Sequence, residues 1–169
     1  MKHLILMRHA SARPGADDRE RPLSAAGTRE AVAMGTALEA LAARGFRPEQ
    51  ALVSPARRAL DTLAGLRAGL SSLASTETDA ALYLASAGQL LARLRRIPDE
   101  TSQVLLVGHN PGLSELAQWL AGGAARGLVP GACAALRVPA GPWSELEPGC
   151  AELVELLTPR HWTPRLTTR

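Results

Sequence analysis

Two apolar runs of buried-strand length, Leu4–Met7 and Val104–Val107, each end in a histidine-bearing polar segment, Arg8-His9 and Gly108-His109-Asn110-Pro111. Lys2 to Met7 reads as a first, central strand, followed by a polar loop from Arg8 to Leu23. Ser24 can cap a helix that runs to about Arg44 and stops at Gly45, with Met34, Leu38 and Leu41 at helical spacing. Gln50 to Val53 reads as a short second strand, and Pro55 suits the first position of a helix reaching about Leu70. Asp79 to Leu84 reads as a short strand or extended segment. Ala87 to Arg96 reads as a helix with Leu90, Leu91 and Leu94 on one face. After the strand Gln103–Val107, Asn110 is expected to cap, and Pro111 to begin, a helix to about Leu120, broken at Gly122-Gly123. Cys133–Val138 and Glu152–Leu157 read as an antiparallel pair, and the polar tail after Pro159 as loose. Strands alternating with helices predict an α/β fold, a three-layer α/β/α sandwich on a mostly parallel central sheet. No repeat or low-complexity linker interrupts the pattern, so residues 1–169 are expected to form a single domain, with 160–169 as its tail.

Composition narrows the function classes. No apolar run approaches a membrane span, and the amino terminus lacks a secretory apolar region, so a cytoplasmic location is expected. The net charge of +3 comes from arginine used throughout the chain, with Lys2 the one lysine. No basic run is interleaved with aromatics, which argues against a nucleic-acid partner. Cys133 and Cys150 lack metal-site spacing and are expected as reduced thiols.

The two histidines carry the chemistry. In an open α/β sheet, ligands bind beyond the carboxyl ends of the strands. His9, His109 and Arg8 delivered there point to an anion, in particular a phosphate. Arginine suits phosphate because its planar guanidinium binds two oxygens at once. A second arginine comes from Ser54-Pro55-Ala56-Arg57-Arg58-Ala59. Arg57 stands four residues before Asp61, so a surface ion pair accounts for it; Arg58 has no such partner and is taken as the phosphate ligand. His9 is then the candidate nucleophile, with neighbouring arginine charge lowering its pKa and its second nitrogen fixed on a backbone carbonyl. His109 is the candidate donor to a non-bridging oxygen. His3 should alternate away from this site, and His161 lies in the tail. No third histidine or carboxylate has metal-ligand spacing with His9 and His109, so neither metal nor cofactor is expected. No P-loop, dinucleotide fingerprint or metalloprotease helix motif occurs.

These residues resemble the histidine phosphatase superfamily, the phosphoglycerate-mutase-like group, and within it the small SixA-type phosphohistidine phosphatases. The pieces are Leu6-Met7-Arg8-His9-Ala10, Arg21-Pro22-Leu23-Ser24 with Gly27, Ser54 to Ala59 with Thr62, and Val107 to Pro111, in the family's order. The resemblance implies a metal-independent reaction on an α/β/α fold, with His9 phosphorylated and Arg8, Arg58 and His109 completing the phosphate pocket. Arg21 matches the family's Arg-Pro-Leu segment and is a candidate substrate-binding residue at the rim. Ala10 stands where the broad superfamily usually has glycine.

Phosphoglycerate mutases carry a lid insertion that supplies a general acid. Here only one helix is expected between Leu82 and Val104, so no lid insertion is present and the site is expected to be open. That suits phosphohistidine on a signalling or phosphotransfer protein, dephosphorylated by a monomer. Asp18, in the loop after His9, is the candidate proton donor. A small-molecule phosphomonoesterase and a non-catalytic phosphate-binding module are the alternatives.

Overall fold

The computed structural model describes residues 1–73 and 75–161. Its strands are β1 (Lys2–Arg8), β2 (Gln50–Val53), β3 (Ser75–Thr78), β4 (Gln103–Gly108), β5 (Cys133–Val138) and β6 (Glu152–Leu157). Its longer helices are α1 (Ala25–Ala42), α2 (Arg57–Leu66), α3 (Ala87–Leu94) and α4 (Gly112–Leu120). The six strands form one sheet in the order β3-β2-β4-β1-β5-β6. β3, β2, β4 and β1 run parallel, while β5 and β6 continue the sheet antiparallel.

Strand periodicity divides the core. Leu4, Leu6, Leu52, Val104, Leu106, Ala134 and Leu136 pack with α3 and α4. Ile5, Met7, Ala51, Val53, Leu105, Val107, Cys133 and Ala135 pack on the opposite face with α1 and α2. The central strands are covered on both sides, which is why they read as unbroken apolar runs. Cys133 lies buried in this core as a free thiol, its pKa pushed up to about 12 by burial.

The register positions the site. Arg8 pairs with Gly108 across β1 and β4, so His9 and His109 leave the sheet at the same level. On the neighbouring strand, Val53 pairs with Val107 and Ser54 donates its N–H to the Val107 carbonyl at 3.1 Å. Three polar residues therefore emerge side by side from β1, β2 and β4.

Local chemistry sets the helix starts. Ser24 caps α1 by accepting from the Gly27 N–H at 3.0 Å. The expected start of α2 at Pro55 moves: Pro55 lies in a bend, Ala56 is the capping residue, and the helix ends at Leu66 instead of Leu70. Asn110 caps α4 from one residue further out, its Oδ1 accepting from Ser114 N–H at 3.2 Å and Ser114 Oγ–H at 2.7 Å, and Pro111 precedes the first helical residue. The expected strand over Asp79–Leu84 is replaced by β3, which lies earlier, and a 3-10 turn at Ala80–Leu82 capped by Asp79. β3 is Ser-Thr-Glu-Thr, exposed along its length, and is held as a strand by backbone pairing with β2. The tail expected to be loose lies mostly outside the described residues; Pro159–His161 form a 3-10 turn.

Candidate active site

Arg58 organises the pocket. It leaves the first turn of α2 with its side chain 4% exposed. Its Nε–H donates to His9 Nε2 at 3.3 Å, and its Nη2 lies 3.3 Å from His109 Nδ1. A guanidinium carries only donors, so both ring nitrogens that face it are unprotonated. The remaining ring hydrogens are then assigned. His9 Nδ1–H donates to the Ala10 carbonyl at 2.7 Å, and His109 Nε2–H donates to Ser54 Oγ at 2.7 Å. The two imidazole centroids stand 5.2 Å apart.

The neighbouring Arg57 points away, more than half exposed, with Asp61 at 3.8 Å. The turn of about 100° between adjacent helical residues separates these two arginines into a pocket residue and a surface residue. Arg8 reaches the Leu128 carbonyl through Nη1 at 3.1 Å, while its buried Nε has no hydrogen-bond partner among the described residues. That orphaned donor sits on the residue preceding His9 and suits an oxyanion.

Burial is the largest cause of the low pKa of both histidines. His9 is lowered to about 4; the Ala10 carbonyl opposes the shift, while Arg58, Arg8 and Arg21 add to it. The sequence reading assigned this effect to arginine charge, which ranks behind burial. His109 is lowered to about 3 by burial, then by His9, Arg58 and Arg8. Both rings are neutral at physiological pH.

Supporting residues hold the loop beneath His9. Thr62 Oγ1 accepts the Ala10 N–H at 3.0 Å and donates to the Arg58 carbonyl at 2.7 Å, tying the His9 loop to α2. Ser11 is held by Glu30 through its N–H at 2.9 Å and its hydroxyl at 2.8 Å. Two glycines permit close approaches. A Cβ on Gly27 would lie 1.9 Å from the Ser11 carbonyl oxygen, and one on Gly112 would lie 2.0 Å from that of Ala85.

The 3-10 turn Asp18–Glu20 brings Asp18 over Arg58. Asp18 Oδ2 accepts from Arg58 Nη2 at 3.0 Å, and its backbone carbonyl accepts from Arg58 Nη1 at 2.6 Å. Arg21 Nη1 donates to Oδ1 at 3.0 Å, so Arg21 stands at the rim bound to Asp18. The Tyr83 hydroxyl donates to Oδ2. Tyr83, then Arg21 and Arg58, hold the Asp18 carboxyl well below the usual carboxylate range. The sequence reading makes Asp18 a proton donor; in this arrangement it is an ionised acceptor.

Tyr83 and Ser54 have no role in the sequence reading. Tyr83 stands edge-on to His109, ring centroids 5.6 Å apart, with the Arg19 guanidinium 4.4 Å from its own centroid. It is the chain's one tyrosine, which was its available signal. Ser54 is fully buried and follows β2 at the sheet's carboxyl edge, the same signal that marked His9 and His109. His3 lies at the other end of β1, stacked on Phe46 at 4.1 Å. His161 Nδ1 is 3.1 Å from the Thr158 hydroxyl in the turn after β6. Among the described residues, no group of three or more His, Cys, Asp or Glu side chains is placed to hold a metal ion.

No protein-family model matches the chain. An uncharacterised protein of Mycobacterium tuberculosis strain H37Rv is 37% identical over 166 residues, spanning 91% of this chain and all of its own. The SixA protein of Nakamurella multipartitia, described as a putative phosphohistidine phosphatase, superposes with a TM-score of 0.78 at 29% identity, over 94% of this chain and 96% of its own. A protein histidine phosphatase SixA in complex with tungstate superposes equally well, with a TM-score of 0.78 at 26% identity, over 94% and 98%. In fold and sequence the chain is similar to SixA proteins of the histidine phosphatase superfamily. The chain has its His9, Arg58 and His109 cluster at the carboxyl edge of its sheet. No helix among the described residues is long and apolar enough to cross a membrane.

Proposed function

We propose that this chain is a metal-independent phosphatase that hydrolyses phosphohistidine on a signalling or phosphotransfer protein through a phospho-His9 intermediate. The observation that carries this reading is the contact of Arg58 with the unprotonated nitrogens of both His9 and His109. A phosphoryl group bound to Arg58 and Arg8 meets the lone pair of His9 Nε2, whose direction is set by the Nδ1–H bond to Ala10. Two arginines supply the positive charge that a metal provides in other phosphoryl sites. Negative charge brought beside His109 Nδ1 favours a proton there, and His109 then donates to an equatorial oxygen while Ser54 accepts from Nε2.

The preference for a protein substrate is supported by the short path from Leu82 to Val104, which holds only α3 as a helix of four or more residues and has no lid insertion. The SixA relatives described as phosphohistidine phosphatases support the same preference. A leaving imidazole departs readily once protonated, which relaxes the demand on a buried acid. The reading takes the protein as a cytoplasmic monomer, in keeping with its free cysteines. The test is competition between a phosphohistidine-bearing phosphotransfer domain and a panel of sugar and nucleotide phosphates. Faster turnover of the domain is expected; a clear preference for metabolites contradicts the assignment in favour of a small-molecule phosphomonoesterase.

A further inference from the structure

Leu84 combines two features that local chemistry disfavours. Its φ is +49°, the one positive value at a residue other than glycine among the described residues. It is also 56% exposed, so packing does little to offset that backbone strain. Glycine or asparagine usually holds the left-handed conformation, because a Cβ there crowds the following carbonyl oxygen. The neighbours of Leu84 explain its backbone and leave its side chain unexplained. Tyr83 is committed to Asp18 and to the edge of His109. Ala85 is buried, and its carbonyl oxygen lies where a Cβ on Gly112 would come within 2.0 Å. Ser86 then caps α3 through reciprocal hydrogen bonds with Gln89. The chain turns sharply between these fixed points, and nothing in the turn calls for an apolar residue. Strain at an exposed position beside a site is a signature of function.

The sheet order gives Leu84 a counterpart. β3 and β5 flank the strands β2, β4 and β1 that deliver Ser54, His109 and His9. Leu84 lies in the connection that follows β3, and Val129 in the one that precedes β5. Val129 is 51% exposed, and the carbonyl of its neighbour Leu128 accepts from Arg8 and Asn110. One exposed apolar side chain therefore stands on each flank of the pocket, next in sequence to a residue that contacts the pocket. Arginines and histidines suffice for a phosphate ion. Apolar side chains held in water at both flanks suit a larger surface that buries them.

We propose that Leu84, with Val129 on the other flank, selects a protein substrate by packing against apolar side chains on either side of its phosphohistidine. This inference rests on the phosphatase reading and names the partner's surface. The partner is a folded domain with phosphohistidine on an exposed helix. Such a helix presents the residues four positions before and after the phosphohistidine on the same face, about 6 Å away along its axis. The turn at Leu84 is fixed before the partner arrives, so little ordering is lost on binding.

Leu84→Asn keeps a residue that tolerates the left-handed turn and removes the apolar side chain. The probes are N-phosphohistidine as the free amino acid and a helical phosphotransfer domain carrying the same group. The phosphorus–nitrogen bond is then common to both, and only its surroundings differ. On the domain, Leu84→Asn should raise KM and lower kcat/KM by about 5–30-fold, the weight of burying an exposed leucine. Val129→Asn should act in the same direction. On the free amino acid both variants should match the wild type, and the urea midpoint of Leu84→Asn should not fall. An equal loss on both substrates overturns the proposal, since Leu84 would then act by holding Tyr83 and the pocket. Undiminished kcat/KM of Leu84→Asn on the domain overturns it as well. A wild-type protein that hydrolyses the free amino acid as efficiently as the domain overturns it and leaves the phosphatase reading standing. A wild-type protein that hydrolyses neither overturns both.

Discussion

The Nε–H of Arg58 points at His9 Nε2 across 3.3 Å, and the opposite nitrogen of that ring is committed to the Ala10 carbonyl at 2.7 Å. One contact fixes the tautomer and the other marks where an anion meets the lone pair. The proposed nucleophile and the proposed phosphate ligand are thus a single hydrogen-bonded unit joining the end of β1 to α2.

Arg57 and Arg58 give a direct comparison within one helix turn. Arg58→Ala should lower kcat by about 10²–10³-fold, the usual cost of losing one preorganised donor. Arg57→Ala removes an exposed ion pair, so steady-state activity should be unchanged and denaturant unfolding should shift by no more than about 0.5 kcal/mol.

The buried imidazoles make acid behaviour unusual. His9 loses its nucleophilic lone pair only near pH 4, so the acid limb of kcat/KM with p-nitrophenyl phosphate should fall there and not near 6.5. Stability follows the same groups. As pH falls from about 6.5 towards 4 for His9, and towards 3 for His109, the unfolded chain binds more protons than the folded one. Unfolding free energy should therefore decline across that window. Asp79 and Asp99, whose carboxyls are lowered by Arg93 and by the Trp143 backbone N–H respectively, add loss in the same direction at lower pH. Urea titrations at a series of pH values check this.

Ser54→Ala leaves His109 Nε2–H buried without its acceptor. The expected cost is about 1–3 kcal/mol in urea unfolding, together with a fall in kcat as His109 loses its orientation. KM should change less than kcat. Unchanged kcat in a folded Ser54→Ala protein would show that His109 needs no such support.

Gly27→Ala tests the frame beneath His9, the proposed nucleophile. The new Cβ would sit 1.9 Å from the Ser11 carbonyl oxygen, so either α1 or the His9 loop must shift. About 1–3 kcal/mol of destabilisation is expected, with reduced activity in whatever remains folded. Ala at Gly123, where no atom lies within 4 Å but φ is +86°, should carry backbone strain without that displacement.

The central strands were legible because burial on both faces leaves unbroken apolar runs: Leu4–Met7 and Val104–Val107 announced themselves, as did Gln50–Val53. Their histidines were legible by position, immediately beyond those runs. β3 was not legible, since Ser75–Thr78 is a polar, exposed edge that only backbone pairing with β2 holds extended. Arg58 could be chosen over Arg57 from the Asp61 spacing alone. The grip of Asp18 on Arg58 could not be read, because it depends on a loop folding back over a helix start forty residues later. Tyr83 was hidden for the same reason, its partner Asp18 lying sixty-five positions away.

The central claim is that His9 carries the phosphoryl group. Mix the protein with a phosphohistidine-bearing domain, quench in base during turnover, and measure the His9 peptide by mass spectrometry. The account predicts an acid-labile phosphate on His9, absent from His9→Ala. Turnover with no phosphate at His9, or full turnover by His9→Ala, would contradict it.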